Sequence, residues 1–545
     1  MSGTILKRAA TPLKFSPTPS WSIEARAQLP PSFQGIQMNR TITLAVAFAV
    51  LLCAGSASAS LDRARPVHRQ PADEASGVEL QLKLAFVDVR NGEYAKAAPE
   101  LDKLIAAPDF GQLTAEIRFQ VINVAAAIAL QDKDYAKAHR LGMMATAFDQ
   151  ADSATWLSRL FAAFYLDDNA DAARCVEAIA KQWPDRLDAV LPQGIVQLHH
   201  GLRAVHKDDA DFSMLNALFD ANWQASQSTY DYVWRDLVLM QIEHNGNERA
   251  AVIAQRIGSA DTALSMRVDK RFDVITQRHP ERFDVVQLLD AQIEAAQQRI
   301  KAHPDQLEPV QRLQDLLLEK GQNVKVLSVS DAAVAHAESG DGEKVYTDFS
   351  QAYNWVLNQR SLALAHDGHW DEAVREMTRA AKRPEDGGLN VSQSINLADL
   401  YVDLAEPDKA AAAIVEPGQM SPMGSMQLHY VKLQIALEKN DAPAVAEHMA
   451  YLRKHRNDDI ATWERALLKH GDLDDAAALL IERLNAAEWR NGALVEMQHY
   501  VRGKQTPTMT TMEQRWNSVT SRADVQAALV KVGRVERVAI TSPAY

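Results

Sequence analysis

Leu84-Ala85-Phe86-Val87-Asp88-Val89-Arg90-Asn91-Gly92-Glu93-Tyr94-Ala95-Lys96-Ala97-Ala98 decides the fold of this 545-residue chain. Apolar residues recur at helical spacing as far as Val89, Asn91-Gly92 punctuates, and a second helical pattern begins at Tyr94. Two helices joined by so short a turn must run antiparallel and touch. Ala85 and Ala97 are small where the helices would cross, Tyr94 is placed to fill the wedge between them, and Pro108 ends the unit.

The pattern returns at Ala126 … Asp134-Tyr135-Ala136-Lys137-Ala138, with Tyr135 following Tyr94 by 41 residues. A third copy runs from Trp156 through Phe161 and Asp168-Asn169-Ala170-Asp171-Ala172 to Trp183-Pro184. The fullest copy is late, from Trp355 through His366-Asp367-Gly368-His369-Trp370 to Ala380. Asn396 … Glu406-Pro407-Asp408-Lys409-Ala410 and Trp463 … His470-Gly471-Asp472-Leu473 … Leu480 complete the set. Self-similarity at such a period marks a repeat architecture.

These residues resemble the tetratricopeptide repeat family: a leucine and a small residue in the first helix, glycine-x-aromatic at the turn, alanines in the second helix. The glycine is absent at Lys133 and Asp168. The resemblance implies an all-α, right-handed α-solenoid of stacked helix-turn-helix hairpins, with a concave groove lined by first helices that holds a peptide or protein segment. On that alignment the groove residues are Arg90, Asn123, Asn358, Gln359, Asp399 and Asp403. The family's best-known pocket grips a terminal carboxylate with paired Lys and Asn. Asn123 and Asn358 match, but no lysines stand at the partner positions, and Asp399 and Asp403 suit a basic or amide-rich ligand instead.

Composition agrees. Alanine and leucine are abundant and β-branched runs are few, which favours helix. The net charge is −13, residues 1–59 contribute +4 (five Lys or Arg against one Glu), and the remainder therefore carries −17. A surface that acidic repels phosphate backbones, so nucleic acid is not an expected partner. Cys53 and Cys175 are the two cysteines, and Cys175 lies in an apolar-periodic stretch where a buried, inert thiol is expected.

No phosphate loop, dinucleotide turn, His-Glu-x-x-His pair or nucleophile elbow occurs, and neither a cofactor nor a metal is expected. His199, His200 and His206 read as a half-exposed helical face, His366 and His369 as solvated turn residues, and His448 and His455 as part of a basic local patch. The carboxylate pairs Asp371-Glu372 and Asp474-Asp475 start second helices, where the positive end of the helix dipole favours them. The reading is thus a non-enzymatic protein-interaction scaffold or adaptor of the bacterial envelope. Two others stay open: a cell-wall or carbohydrate-binding protein, and an enzyme with its site in 190–340.

The organisation follows from punctuation. Residues 79–338 form a first helical array with an irregular middle, 339–345 (Ser339-Gly340-Asp341-Gly342 at its start) a linker, 346–503 a second array, and 504–545 a terminal cap over the last hairpin. Val324–Val329 reads as a stacked helix with a short strand as the alternative. Residues 60–78 form a leading linker. Residues 1–37 read as an upstream extension and 38–59 as a signal peptide: Asn39-Arg40, the 11-residue apolar run Leu44–Ala54, then Ala57-x-Ala59. The run is too short to span a bilayer, which takes about 20 residues, so a periplasmic or secreted chain without a membrane span is expected. N-terminal sequencing of the secreted form should begin at or close to Ser60; an uncleaved chain starting at Met1 overturns the reading.

Overall fold

A computed structural model of the chain describes residues 77–223, 230–385, 388–414 and 420–541. The segments assigned above to the extension and the signal peptide, and most of the leading linker, lie outside the described residues. The protein is all-α, built from helix-turn-helix hairpins, with one two-stranded sheet among the described residues. The described residues fall into two compact units, 77–223 and 230–541.

The first unit holds four hairpins: α1 (Gly77–Arg90) with α2 (Tyr94–Ala106), α3 (Ala115–Gln131) with α4 (Tyr135–Ala145), α5 (Ser153–Tyr165) with α6 (Asn169–Gln182), and α7 (Pro192–Ala204) with α8 (Asp208–Asp220). The second opens with α9 (Asp231–Glu243) and α10 (Asn247–Ala254), followed by α11 (Ala260–Val268) and α12 (Val285–Ala302). Four hairpins with the same turn follow: α13 (Glu308–Glu319) with α14 (Asn323–Ser328), α15 (Phe349–His366) with α16 (Trp370–Ala381), α17 (Ser392–Asp403) with α18 (Pro407–Ala413), and α19 (Pro422–Glu438) with α20 (Ala442–Lys454). The last is α21 (Ile460–His470) with α22 (Leu473–Asn485).

One hydrogen bond makes every hairpin. The chain leaves each first helix through a left-handed residue, and the next N–H bonds back across the helix end to a carbonyl five residues earlier. Glu93 N to Asp88 O (2.8 Å), Asp134 N to Ala129 O (2.9 Å), His369 N to Leu364 O (2.9 Å) and Asp472 N to Leu467 O (2.9 Å) are examples. This satisfies a carbonyl that the helix itself leaves orphaned. Glycine fills the left-handed position at 92, 321, 368 and 471, but Lys133, Asp167, His206, Asn245, Ala405 and Asn440 adopt it too. Glycine-x-aromatic therefore does not mark the hairpins at 192–220, 231–254 and 422–454, and at 308–328 Gly321 is followed by Asn323 in place of an aromatic. Much of the middle read as irregular is built from the same unit, although Ala260–Ala302 lacks this turn.

Small residues let the paired helices approach, as expected: Ala85, Ala97, Ala172, Ala373, Ala398, Ala410, Ala466 and Ala476 are all fully buried. In the first unit a buried carboxylate ties three helices together. Asp171 on α6 accepts from Arg159 of α5 (2.5 and 2.8 Å), His139 of α4 (2.8 Å) and Arg174 (3.0 Å). Burial pushes its pKa up, but the bonds from Arg159 and His139 win and hold it at about 2. Cys175, one turn further on, is buried as expected, and burial pushes its thiol well above the usual range.

The boundary expected at 339–345 falls inside the second unit. Gly342–Val345 is a helical turn, and a Cβ on Gly342 would sit 2.4 Å from the Phe349 ring, so Gly342 is packed while Ser339, Gly340, Glu343 and Lys344 around it are exposed. Val324–Val329 is helical, within and just past α14.

The tail does more than cover the last hairpin. After α23 (Arg490–Glu496) and β1 (His499–Val501), the chain forms α24 (Pro507–Thr520), α25 (Ala523–Val532) and β2 (Arg537–Thr541), and β2 pairs in parallel with β1. It then closes on the start of its own unit. Arg534 N donates to Val268 O at the end of α11 (3.0 Å), and the Arg534 guanidinium reaches Arg267 O (2.6 Å) and Asp273 (2.6 and 2.7 Å). Gly533 is required there, because a Cβ would meet Leu494 Cδ2 at 2.3 Å and Val268 O at 2.6 Å. One apolar core accordingly joins Leu264, Val268 and Leu289 to Leu494, Leu529, Val538 and Ile540.

The turn can be tested where residue type and conformation disagree. Gly368 sits at φ +83, with Lys504 Cβ 3.3 Å from where its own Cβ would be. Gly368→Val should lower stability by about 1–3 kcal/mol in urea unfolding. Ala405 occupies the same conformation at φ +58, so Ala405→Gly should leave stability unchanged or raise it. Loss of stability in Ala405→Gly would mean that the turn is not the strained element.

Candidate functional site

Counting back from the left-handed residue of each turn aligns the first helices of the second unit. Two residues before it stand Glu319, His366, Asp403, Glu438 and Lys469; six before it stand Asp315, Leu362, Asp399, Gln434 and Arg465. Residues four apart lie on one helix face, so α13, α17, α19 and α21 each present a short polar strip toward their C-terminal ends, while α15 carries Leu362 beside His366.

The strips are laced together. Gln359 Nε2 donates to Asp315 Oδ1 (2.6 Å), Asn396 Nδ2 to Asn358 Oδ1 (2.8 Å), and Asn354 Nδ2 to Gln393 Oε1 (3.1 Å). Gln434 Nε2 donates to Asp399 Oδ1 (2.7 Å), and the Arg465 guanidinium lies over the Tyr430 ring, 5.1 Å from its centroid. Each bond spans neighbouring first helices among α13, α15, α17, α19 and α21, so stacking is specified by polar pairs as well as apolar contact. A mispaired stack would leave buried amides unmet, at about 1–3 kcal/mol each.

The six residues predicted for a groove are divided between the two units. Arg90 and Asn123 belong to the first unit, Arg90 exposed at the end of α1 and Asn123 buried in α3. Asn358 and Gln359 are 1% and 0% exposed and spent on the lacing bonds, so they line no open surface. Asp399 and Asp403 remain half-buried.

Around those two the structure places residues that sequence reading missed: Glu438, Arg465 and Lys469, all half-buried. Burial, then the neighbouring charges of Asp399 and Glu438, raise the pKa of Asp403 well above the carboxylate range, with Lys469 opposing. Burial likewise raises Glu438 and lowers Lys469, the latter against the pull of Asp403, Asp399 and Glu438. The turn register, once known, would have found them; the Lys439-Asn440-Asp441 turn concealed it.

The remaining sequence candidates resolve as follows. His199 is fully buried, its Nδ1 2.9 Å from both oxygens of Asp211, so it is core, while His200 is half-buried and His206 exposed. His366 is half-buried beneath the tail, its carbonyl accepting from Lys504 N (2.8 Å), and burial lowers its pKa; it is not the solvated turn residue expected. His448 and His455 join an aromatic stack with His429 and Tyr451 in place of a basic patch. Burial, then His448 and Lys432, push His429 down to about 4. Among the described residues no group of three or more His, Cys, Asp or Glu could hold a metal ion, and no helix is long and apolar enough to cross a membrane.

No family model and no curated protein matches the chain. Among solved structures it is similar to the APC/C hetero-tetramer Cut9-Hcn1 at 14% identity, over 84% of this chain and 90% of that one, with a TM-score of 0.24. It is also similar to a circular tandem repeat protein with novel repeat topology and enhanced subunit contact surfaces, at 13% identity over 90% and 97%, with a TM-score of 0.12. Superpositions that loose carry no argument about this chain.

The carboxylate cluster makes a prediction with a definite sign. A carboxyl whose pKa is raised on folding binds its proton more tightly in the folded state, so it subtracts stability as pH rises from its ordinary value through the raised one. Asp403→Asn should therefore raise the melting temperature at pH 7 by a few degrees, and the gain should shrink toward pH 4. A lower melting temperature at pH 7 would show that Asp403 is a satisfied structural group.

Proposed function

We propose that this chain is a non-enzymatic interaction scaffold, exported after cleavage near Ala59, that holds a protein segment against the charged first-helix face of its second unit. The observation that carries the reading is the cluster itself. Asp399, Asp403 and Glu438 crowd onto adjacent helices, half-buried, with Lys469 as an incomplete counterweight. A core built only for stability has no use for carboxyls such as Asp403 and Glu438, which burial holds against ionisation. An incoming ammonium or guanidinium relieves that repulsion, and neighbouring amides such as Gln434 and Asn396 suit hydrogen bonding to a peptide.

The segment taken is therefore basic or amide-rich, and the tetratricopeptide-like hairpins supply the surface that positions it. Repeats of this kind present several helices in series, so an extended ligand meets a row of contacts, each worth on the order of 1 kcal/mol.

The test uses the chain from Ser60 as bait in envelope extract with crosslinking, beside direct binding of a labelled oligolysine peptide. Asp399→Asn combined with Asp403→Asn should reduce both roughly ten-fold, with circular dichroism unchanged. His199→Ala should leave the capture pattern alone wherever the variant folds. Undiminished oligolysine binding in the double carboxylate variant rejects this face as the site.

A further inference from the structure

The tail of the second unit is held unevenly, and the unevenness falls over the charged face. Its far part is anchored: α25 buries Val525, Ala528 and Leu529, and Gly533, Arg534 and β2 are seated against α11 and the start of the unit. The middle is not. Of the fourteen residues of α24 only Val519 is fully buried, while Met512 and Trp516 pack on the core by part of their surface. Helices that bury so little apolar surface open at low free energy.

Before α24 the run Arg502-Gly503-Lys504 is tied down by Lys504 N donating to His366 O (2.8 Å), and half-buried Gln505 leads to Thr506, the N-cap; after α24, Ser521 is exposed. It packs against α17, α21 and α22, so it lies on the helices that carry Asp399, Asp403, Arg465 and Lys469. One side chain fastens it there. Arg515 donates from Nη1 to Leu468 O (2.7 Å) and to Lys469 O (2.5 Å), the orphaned carbonyls at the negative end of α21. Arg515 also brings its own cation beside Lys469, within electrostatic reach of the cluster.

We propose that α24 is a lid over the charged face, latched by Arg515, which swings out about Gln505 and Ser521 while α25 and β2 stay in place. The cationic segment of a partner competes with Arg515 for the same end of α21. This rests on the reading of the face as the binding site, and it adds that access is gated by the chain itself.

Hydrogen exchange on the chain from Ser60 reads the lid without any ligand. Arg515→Ala should speed exchange of the amides at 507–520 by about ten-fold or more and leave those at 523–541 unchanged. The same variant should bind labelled oligolysine about ten-fold more tightly.

Equal acceleration across 507–541 in Arg515→Ala overturns the lid, because the tail would then open as one piece. So does unchanged exchange at 507–520. If Asp399→Asn with Asp403→Asn weakens oligolysine binding while Arg515→Ala leaves it untouched, the lid falls and the site stands. If the carboxylate variant has no effect, the site falls and the gate with it.

Discussion

The rest of the structure depends on the hydrogen bond that closes each helical hairpin. An N–H just past a left-handed residue reaches back to a carbonyl five residues earlier, and this single contact stops the first helix and reverses the chain. It also sets the phase of the second helix, and so decides which alanines meet. Because it involves only backbone atoms, it constrains side chains weakly: glycine is the least strained occupant, yet lysine, aspartate, histidine, asparagine and alanine all occupy it here. Their strain, about 1–2 kcal/mol for a residue with a Cβ, is small beside the apolar burial that each hairpin brings. Large apolar side chains such as Trp234 and Leu313 lie almost wholly inside the second unit.

Fixing the phase fixes the polar strips as well. The residues two and six positions before the turn recur on the same face of each first helix in the second unit, and there they either bond to the next helix or crowd together. Where amide meets carboxylate, as in Gln359 with Asp315 and Gln434 with Asp399, the strip becomes a stacking device. Where carboxylates and a lysine meet at the end of α17, α19 and α21, charge is left poorly compensated in a half-buried place. That contrast within one register separates a structural strip from a candidate binding face. It also explains why removing a charge at Asp403 is expected to stabilise the fold while weakening what it holds.

Closure of the second unit adds a constraint that no single repeat contains. The tail carries Arg534 and Glu536 to Arg267 and Asp273, and a glycine at 533 lets the backbone pass between Leu494 and Val268. Stability in a repeat array is ordinarily a sum of nearest-neighbour terms. Here α11 and α12 share a core with the last elements of the unit, so loss of the tail exposes that core on both sides. Within that frame α24 is lightly held, with only Val519 of its fourteen residues fully buried.

The sequence by itself determined the helical hairpins, their small crossing residues, the acidic balance and two members of the charged face, Asp399 and Asp403. All of these are local: periodicity, turn chemistry and composition act within about 40 residues. Only the tertiary structure decided that Asn358 and Gln359 are closed off, that His199 is core, that Glu438, Arg465 and Lys469 complete the cluster, and that the tail returns to Arg267. The physical reason is that spacing assigns a residue to a helix face but does not say what packs upon that face. The pairing of Arg534 with Asp273 spans more than half of the second unit, and no local pattern encodes a contact set by the summed rotation of every hairpin between them.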